Sequence, residues 1–430
     1  MVRFRKMPSI GIEWRRLLSI RGAVIAILAI ALAVFAFANA ASQLGAKLSA
    51  FKPLGPAFYS NRADLVRLEV GIAKRPVAAG EQRFGATAIE MLSWSPLNAR
   101  ALRNYALHRE AQGDVAGARK IFLAGDAISR RDGVTQYWLI NDAAKRGNVS
   151  GALDHFDRAL RTMPDATQPM IEQLAVSTIL PEARQALTRF VRKDNPWLVR
   201  YVQAAVEKLP KVEPLAQLFV DAKQAPDLPA LNTSYGQIVD GLVSDQKTAL
   251  LQRFYPLLPK ADRGDIKSIA INEDTFKGGY APVVWDLGQS SDRGGALIKS
   301  GGTVGLELYG LPDTLGVAAR KLIIPPASAQ RFSWVATDRG SNADSAAFWV
   351  LSCLRDVGKA AVGGKATVGG KANGRGKANE VRSTNLLAAK TLRGQMALPK
   401  GCDSIMISFE IDGGTGRDPA RMVFSSVTVD

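Results

Sequence analysis

Cysteine and histidine are scarce in this sequence. Cys353 and Cys402, with His108 and His155, are all that 430 residues contain. Two cysteines suffice for one disulfide and exclude a multi-disulfide scaffold or a cysteine-rich zinc finger. The two imidazoles are 47 residues apart on separate helical stretches, so neither is expected to ligate a metal. No histidine lies in the C-terminal third beside the cysteines, which removes a thiol–imidazole nucleophile. No pair of carboxylates is marked out by spacing or motif. The Gly-Lys pairs that recur from 358 to 377 are followed by Ala, where a phosphate loop needs Ser or Thr. No catalytic, metal-ligating or cofactor-binding residue is assigned, and the chain is expected to bind rather than to catalyse.

Recognition has to be organised by larger elements. The chain is 47% apolar and 22% charged, with 56 Lys+Arg against 39 Asp+Glu and a net charge of +17. That composition is globular and long enough for two or three domains. Residues 1–21 form a basic tail, with Arg3, Arg5, Lys6, Arg15, Arg16 and Arg21 against Glu13 alone. Gly22–Ala38 then carries no charge at all. About 20 apolar residues span a bilayer, and flanking cations stay on the cytoplasmic side. A single transmembrane helix over 22–41 is expected, with the N-terminus cytoplasmic, the bulk periplasmic and membrane lipid as its first partner. Ala38-Asn39-Ala40 also fits a cleaved signal peptide. Either way the remainder is exported, and with basic tracts that lack interleaved aromatics this argues against nucleic acid as a partner.

After a linker with first helices (46–80), short residues recur every 34 positions. Gly113-Asp114 returns as Gly147-Asn148, Ala118 as Ala152 and Phe122 as Phe156. A further shift reaches Ala186 and Phe190, with the turn become Pro181-Glu182, and Pro96 and Pro164 close apolar stretches two periods apart. This spacing resembles the tetratricopeptide repeat, a helix–turn–helix unit. Leu102, Tyr105 and Ala106 match its first-helix packing positions, and Ala118 and Phe122 those of its second helix. In the next unit Leu139, Ala152, Phe156, Ala159 and Pro164 match, but Gln136 stands where an apolar residue is usual. The resemblance implies an α-helical solenoid over 81–198, and apolar i, i+3, i+4 patterns at Ile171–Leu180, Trp197–Leu209, Leu215–Ala222 and Ile238–Leu258 continue the helices, with further ones expected over 199–275. It also implies a protein partner on the concave face, lined by Arg100, Arg103, Leu107, Glu110, Tyr137 and Asn141. Arg100 and Arg103 would pair with an acidic segment, or else belong to a solvated helix face.

From about residue 280 the period changes from 3.6 to 2. Val304–Tyr309 and Ile405–Ile411 alternate most clearly, and Pro282–Leu287, Val317–Ile324, Arg331–Thr337, Ala347–Cys353, Leu392–Leu398 and Met422–Val429 read as further strands. About eight short strands separated by turns imply an antiparallel all-β sandwich over 280–430. The run Phe348–Cys353, the segment Met396–Cys402 and the closing Val423–Val429 strand give it a layout that resembles the jelly-roll of carbohydrate-binding modules. Cys353 and Cys402, each at a strand end in an exported domain, are expected to form a disulfide. Aromatics in strands are mostly core, so the ring candidates for a glycan reduce to Tyr309, opposite an apolar face and next to a turn, and Trp334. Turn chemistry explains the Asp-rich loops 338–344 and 412–418, with calcium as the other reading. A Gly/Lys insert (357–380) is expected to be a flexible basic loop.

The fold class is therefore multi-domain: a transmembrane helix, a tetratricopeptide-like solenoid and a jelly-roll-like sandwich. The function these imply is a non-enzymatic envelope scaffold with a protein partner and a polysaccharide ligand, acting in polysaccharide assembly or export. The alternative is a periplasmic glycan-active enzyme using paired carboxylates.

Overall fold

The computed structural model describes residues 20–47, 82–162, 167–273, 276, 278–288, 290–300, 303–342, 344–355 and 380–430. The basic tail before residue 20, nearly all of the 46–80 linker, Pro164 and the Gly/Lys insert up to 379 lie outside them. The chain divides into two compact units, Met1–Pro164 and Asp165–Asp430.

The first unit is helical: α1 (Ile20–Lys47), α2 (Gln82–Trp94), α3 (Ala99–Ala111), α4 (Val115–Ile128), α5 (Gly133–Lys145) and α6 (Val149–Thr162). α1 has 28 residues, about 42 Å at 1.5 Å per residue. Its described side chains, 23–34 and 36–37, are all exposed. Among the described residues no helix is long and apolar enough to cross a membrane.

α3–α4 and α5–α6 are hairpins whose turns are built alike, 34 residues apart. Gly113 and Gly147 have φ of 87° and 71°, a region a side chain disfavours. The next residue caps the second helix: Asp114 accepts the Gly117 N–H at 2.8 Å, and Asn148 accepts that of Gly151 at 3.0 Å. Ala106, Ala118, Phe122 and Leu139 are buried together, and Trp138 stacks on Phe122 at 4.3 Å.

The second unit begins with α7 (Thr167–Ser177), α8 (Pro181–Leu187), α9 (Leu198–Lys208), α10 (Glu213–Ala222), α11 (Asn232–Ser244) and α12 (Thr248–Phe254). The stretch read as repeats, 81–198, is thus divided, and its last part belongs with the sheets. The helical run expected over Ile238–Leu258 is interrupted after Ser244, where Gln246 takes a φ of 56°.

Among the described residues nine strands follow: β1 (Arg293–Ser300), β2 (Thr303–Gly310), β3 (Leu315–Ile323), β4 (Arg331–Gly340), β5 (Ala346–Leu354), β6 (Glu380–Arg382), β7 (Arg393–Ala397), β8 (Ser404–Asp412) and β9 (Ala420–Val429). They form antiparallel sheets in the orders β1-β2-β9-β4-β7 and β3-β8-β5-β6. Apolar residues of both sheets make one core around the fully buried Trp349, with Phe332, Phe409 and Phe424 centred 4.9–5.3 Å from its ring.

Pro282–Leu287 is not a strand. Pro282 has no N–H to donate to a ladder, and the segment meets the outer edge of β3 only in pieces. Asp286 and Arg320 exchange backbone bonds, while Leu322 and Ile324 donate to Pro282 and Ile266. The irregular chain covers an edge that would otherwise be open to another strand.

Candidate functional site

On the helical unit, Arg100 is exposed, Tyr137 is 55% exposed, and Leu107 and Glu110 are half-buried, with Leu107 against the Ala106–Phe122 cluster. Asn141 donates its amide to the Tyr137 carbonyl at 3.1 Å. Val134, one turn before Tyr137, is exposed as well and widens the apolar part of this face. Arg103 does not belong to the set. It is 6% exposed, and its guanidinium is held by Asp132, which also accepts the Thr135 N–H as the cap of α5. Its charge locks one hairpin to the next helix instead of awaiting a partner.

Below that face lies a polar network that position types alone did not reveal. Gln136, the departure from the apolar pattern, is fully buried. It donates to Asp126 at 2.6 Å, and its amide oxygen lies 2.8 Å from His155 Nδ1. Arg158 completes the set on Asp126 at 2.6 Å. Burial, reinforced by the Arg158 charge, lowers the His155 pKa, so the ring favours its neutral form. Asp142, nearly buried, receives Arg119 at 2.7 Å and Arg146 at 2.9 Å. The Arg119 hydrogen bond is the largest influence holding its carboxyl below the usual range.

In the sheet unit, Trp334 is 7% exposed and Gly394 of β7 packs directly on its ring edge. No ring face is left for a sugar, and Trp334 is a core residue. Trp285, Phe332 and Trp349 are buried with it, and Phe348 is covered by Arg382, 3.9 Å from its ring centre. Tyr309 is half-buried and points away from the core side of β2, where Leu306 and Leu308 are fully buried. Its cross-strand neighbours are Gly294, which has no side chain, and Arg421. Arg421 bonds Glu307 at 3.3 Å and Asp338 at 2.6 Å. One ring thus stands beside three fixed polar groups on the outer face of the five-stranded sheet.

No family model matches the chain, and no curated protein matches it. Whatever it binds has to be read from its own surfaces.

Among the described residues two carboxylates meet on one side chain at three places, on Arg421, Arg320 and Lys208. Arg421 bridges Glu307 and Asp338, and Arg320 bridges Asp240 at 2.9 Å and Asp286 at 2.7 Å. Cys353 and Cys402 are joined in a disulfide with Cα atoms 5.3 Å apart. Beside Cys402 a cavity of about 700 Å³ opens along β4 and β7, with Gln330, Arg331, Gln395 and Lys400 as its polar lining. The two Asp-rich loops are stitched together: Asn342 donates to the Gly413 and Asp418 carbonyls, and Gly414 donates to Asp412.

Lys321 went unnoticed in the sequence. It is fully buried on β3 and donates to the backbone carbonyls of Asp265, at 2.7 Å, and Val283. Burial pushes its pKa down to about 7. It pins the covering segment onto the sandwich.

Proposed function

We propose that the protein is a membrane-anchored scaffold of the cell envelope. The helical unit docks a protein partner, and the sandwich holds a polysaccharide. The observation that carries this reading is architectural: a helix whose Gly22–Ala38 stretch carries no charge is followed by hairpins recurring at 34 residues and then by two packed sheets. The order β2-β9-β4-β7 against β3-β8-β5-β6 is the strand pairing of a jelly roll, with β1 added at one edge. The exposed apolar side chains of α1, which a soluble helix would bury, support a bilayer as its surroundings. The bulk then lies on the far side of the membrane from the basic tail, where a disulfide persists.

On the sandwich, the Tyr309 ring and the Glu307–Arg421–Asp338 array supply a stacking surface with fixed hydrogen-bonding groups, the combination that orients a small polar ligand. On the helical unit, Arg100, Val134 and Tyr137 offer one cation and two apolar groups to an acidic, partly apolar peptide. Anchoring raises the local concentration of both ligands at the membrane.

The test is a glycan array probed with the full chain in detergent. Acidic or neutral envelope polysaccharides are expected to bind, and Tyr309→Ala to lower their signal at least tenfold. Binding to no glycan, or binding unaffected by Tyr309→Ala, overturns the assignment of that face.

A further inference from the structure

Four cations converge on a cleft that none of the preceding surfaces includes. The cleft, about 540 Å³, lies where the ends of α10 and α12 meet the chain after β3. Lys223, Arg253, Arg263 and Lys267 line it, all exposed, while the rest of the lining is mostly apolar, with Ile266 and Ile324 among it. Among the described residues none of the four is ion-paired. The nearby acids are committed elsewhere. Asp265 accepts the Tyr255 hydroxyl at 2.9 Å and the Asp262 N–H at 3.0 Å, and Asp262 accepts the Gly264 N–H at 2.6 Å. Lys223 and Arg253 lie at helix C-termini, where the backbone carbonyls attract positive charge. Arg263 and Lys267 belong to no helix, and among the described residues no carboxylate pairs with them.

We propose that this cleft takes the phosphate head and upper chain of an anionic phospholipid. Four like charges around one opening repel each other, and an anion between them relieves that repulsion. The apolar lining is wrong for a bare ion or a sugar, whose hydroxyls would lose their water without gaining partners. It suits the start of an acyl chain below a phosphate. A nucleotide would need a free ring to stack on, and the ring of Tyr255 is buried. The proposal goes beyond the scaffold reading and uses it only for the source of the lipid, which an anchoring membrane keeps close at hand.

The test uses water-soluble dihexanoyl phosphatidic acid titrated into the full chain in non-ionic detergent, followed by calorimetry. Dihexanoyl phosphatidylcholine and inorganic phosphate are titrated in parallel. Phosphatidic acid is expected to bind at least tenfold tighter than either and to weaken as salt is raised. The double variant Arg253→Ala/Lys267→Ala is expected to lose at least tenfold in that affinity, while Arg131→Ala, at an exposed position of the helical unit, leaves it unchanged. The exposed positions of these side chains keep folding out of the comparison, and circular dichroism verifies it. Absence of phosphatidic acid binding, equal affinity for phosphatidylcholine, phosphate binding as tight as the lipid, or an undiminished double variant would each overturn the proposal. None of these outcomes bears on glycan or peptide binding, so the scaffold reading stands or falls separately.

Discussion

In the Met1–Pro164 unit, charged groups reach from helix to helix: Arg103 to Asp132, Arg119 to Asp142, Arg158 to Asp126. In the Asp165–Asp430 unit, the centre is a set of rings around Trp349, closed by a disulfide, and the fully buried Lys321 has its pKa lowered by burial and is bonded to backbone carbonyls. The difference follows from geometry. Stacked helical hairpins are thin, so charged side chains can tie one helix to the next and fix register while several of their arginines keep contact with water. Two packed sheets enclose a dry layer about 10 Å thick, in which large rings gain the most and charge the least.

That contrast can be broken experimentally, and the largest effect belongs to the rings. Trp349→Ala should destabilise the sheet unit by about 4 kcal/mol, within the usual cost of removing a buried Trp. Denaturant unfolding followed by near-ultraviolet circular dichroism measures it. Disulfide removal comes next. Cys353→Ser, or reduction, is expected to cost about 4 kcal/mol or somewhat less, from the chain entropy released when a 49-residue loop opens. The helical unit should unfold at an unchanged midpoint under reducing conditions.

Smaller effects are expected where charges are the ties. Asp142→Ala should cost on the order of 1–2 kcal/mol, because its two arginines can turn back to water. Gln136→Leu restores the apolar residue expected of a repeat, yet should still destabilise by about 1–3 kcal/mol, since buried Asp126 loses its amide donor.

The two units should also respond to pH in different windows. The Asp142 pKa is lowered by Arg119 and then Arg146, so its contribution is present above the unfolded carboxylate value and lost as pH falls through the lower, folded one. The lowered His155 pKa acts in the same sense below the ordinary imidazole value, because the unfolded ring takes its proton first. Lys321, pushed to about 7, works at the other end. Between about pH 7 and 10 the unfolded lysine binds a proton that the folded one does not, so stability of the sheet unit should rise by up to about 1.4 kcal/mol per pH unit. Lys321→Met should flatten that rise, which unfolding at pH 7, 8.5 and 10 would reveal.

Much of this was legible from residue spacing where one residue type answers one backbone demand. Gly113 and Gly147 mark the turns because both carry positive φ, and Cys353 and Cys402 sit near enough to bridge. β2 and β8 showed themselves by alternating residue types, matched by alternating buried and half-buried positions over Leu306–Gly310 and Ile405–Asp412. β1 did not, since Gly294 and Gly295 give a strand no side chains to alternate. Lys321 was hidden by the irregularity between Val317 and Ala319, which shifts the register so that a lysine falls at a buried position. Arg103 read as an exposed cation because its partner, Asp132, is 29 residues away and no local pattern announces the pair. Trp334 and Tyr309 look alike as strand aromatics, and only the packing of Gly394 on the first separates them.

The account rests on the bulk of the chain lying across the membrane from its basic tail. Alkylation trapping of Cys353 and Cys402 in intact cells, with a maleimide that adds mass before or after reduction, tests this most directly. If the sandwich lies in an oxidising space, no modification is expected until reductant is added, because both cysteines stay in the disulfide. Two freely modified thiols in unreduced, denatured extract would place the sandwich in a reducing compartment and contradict it.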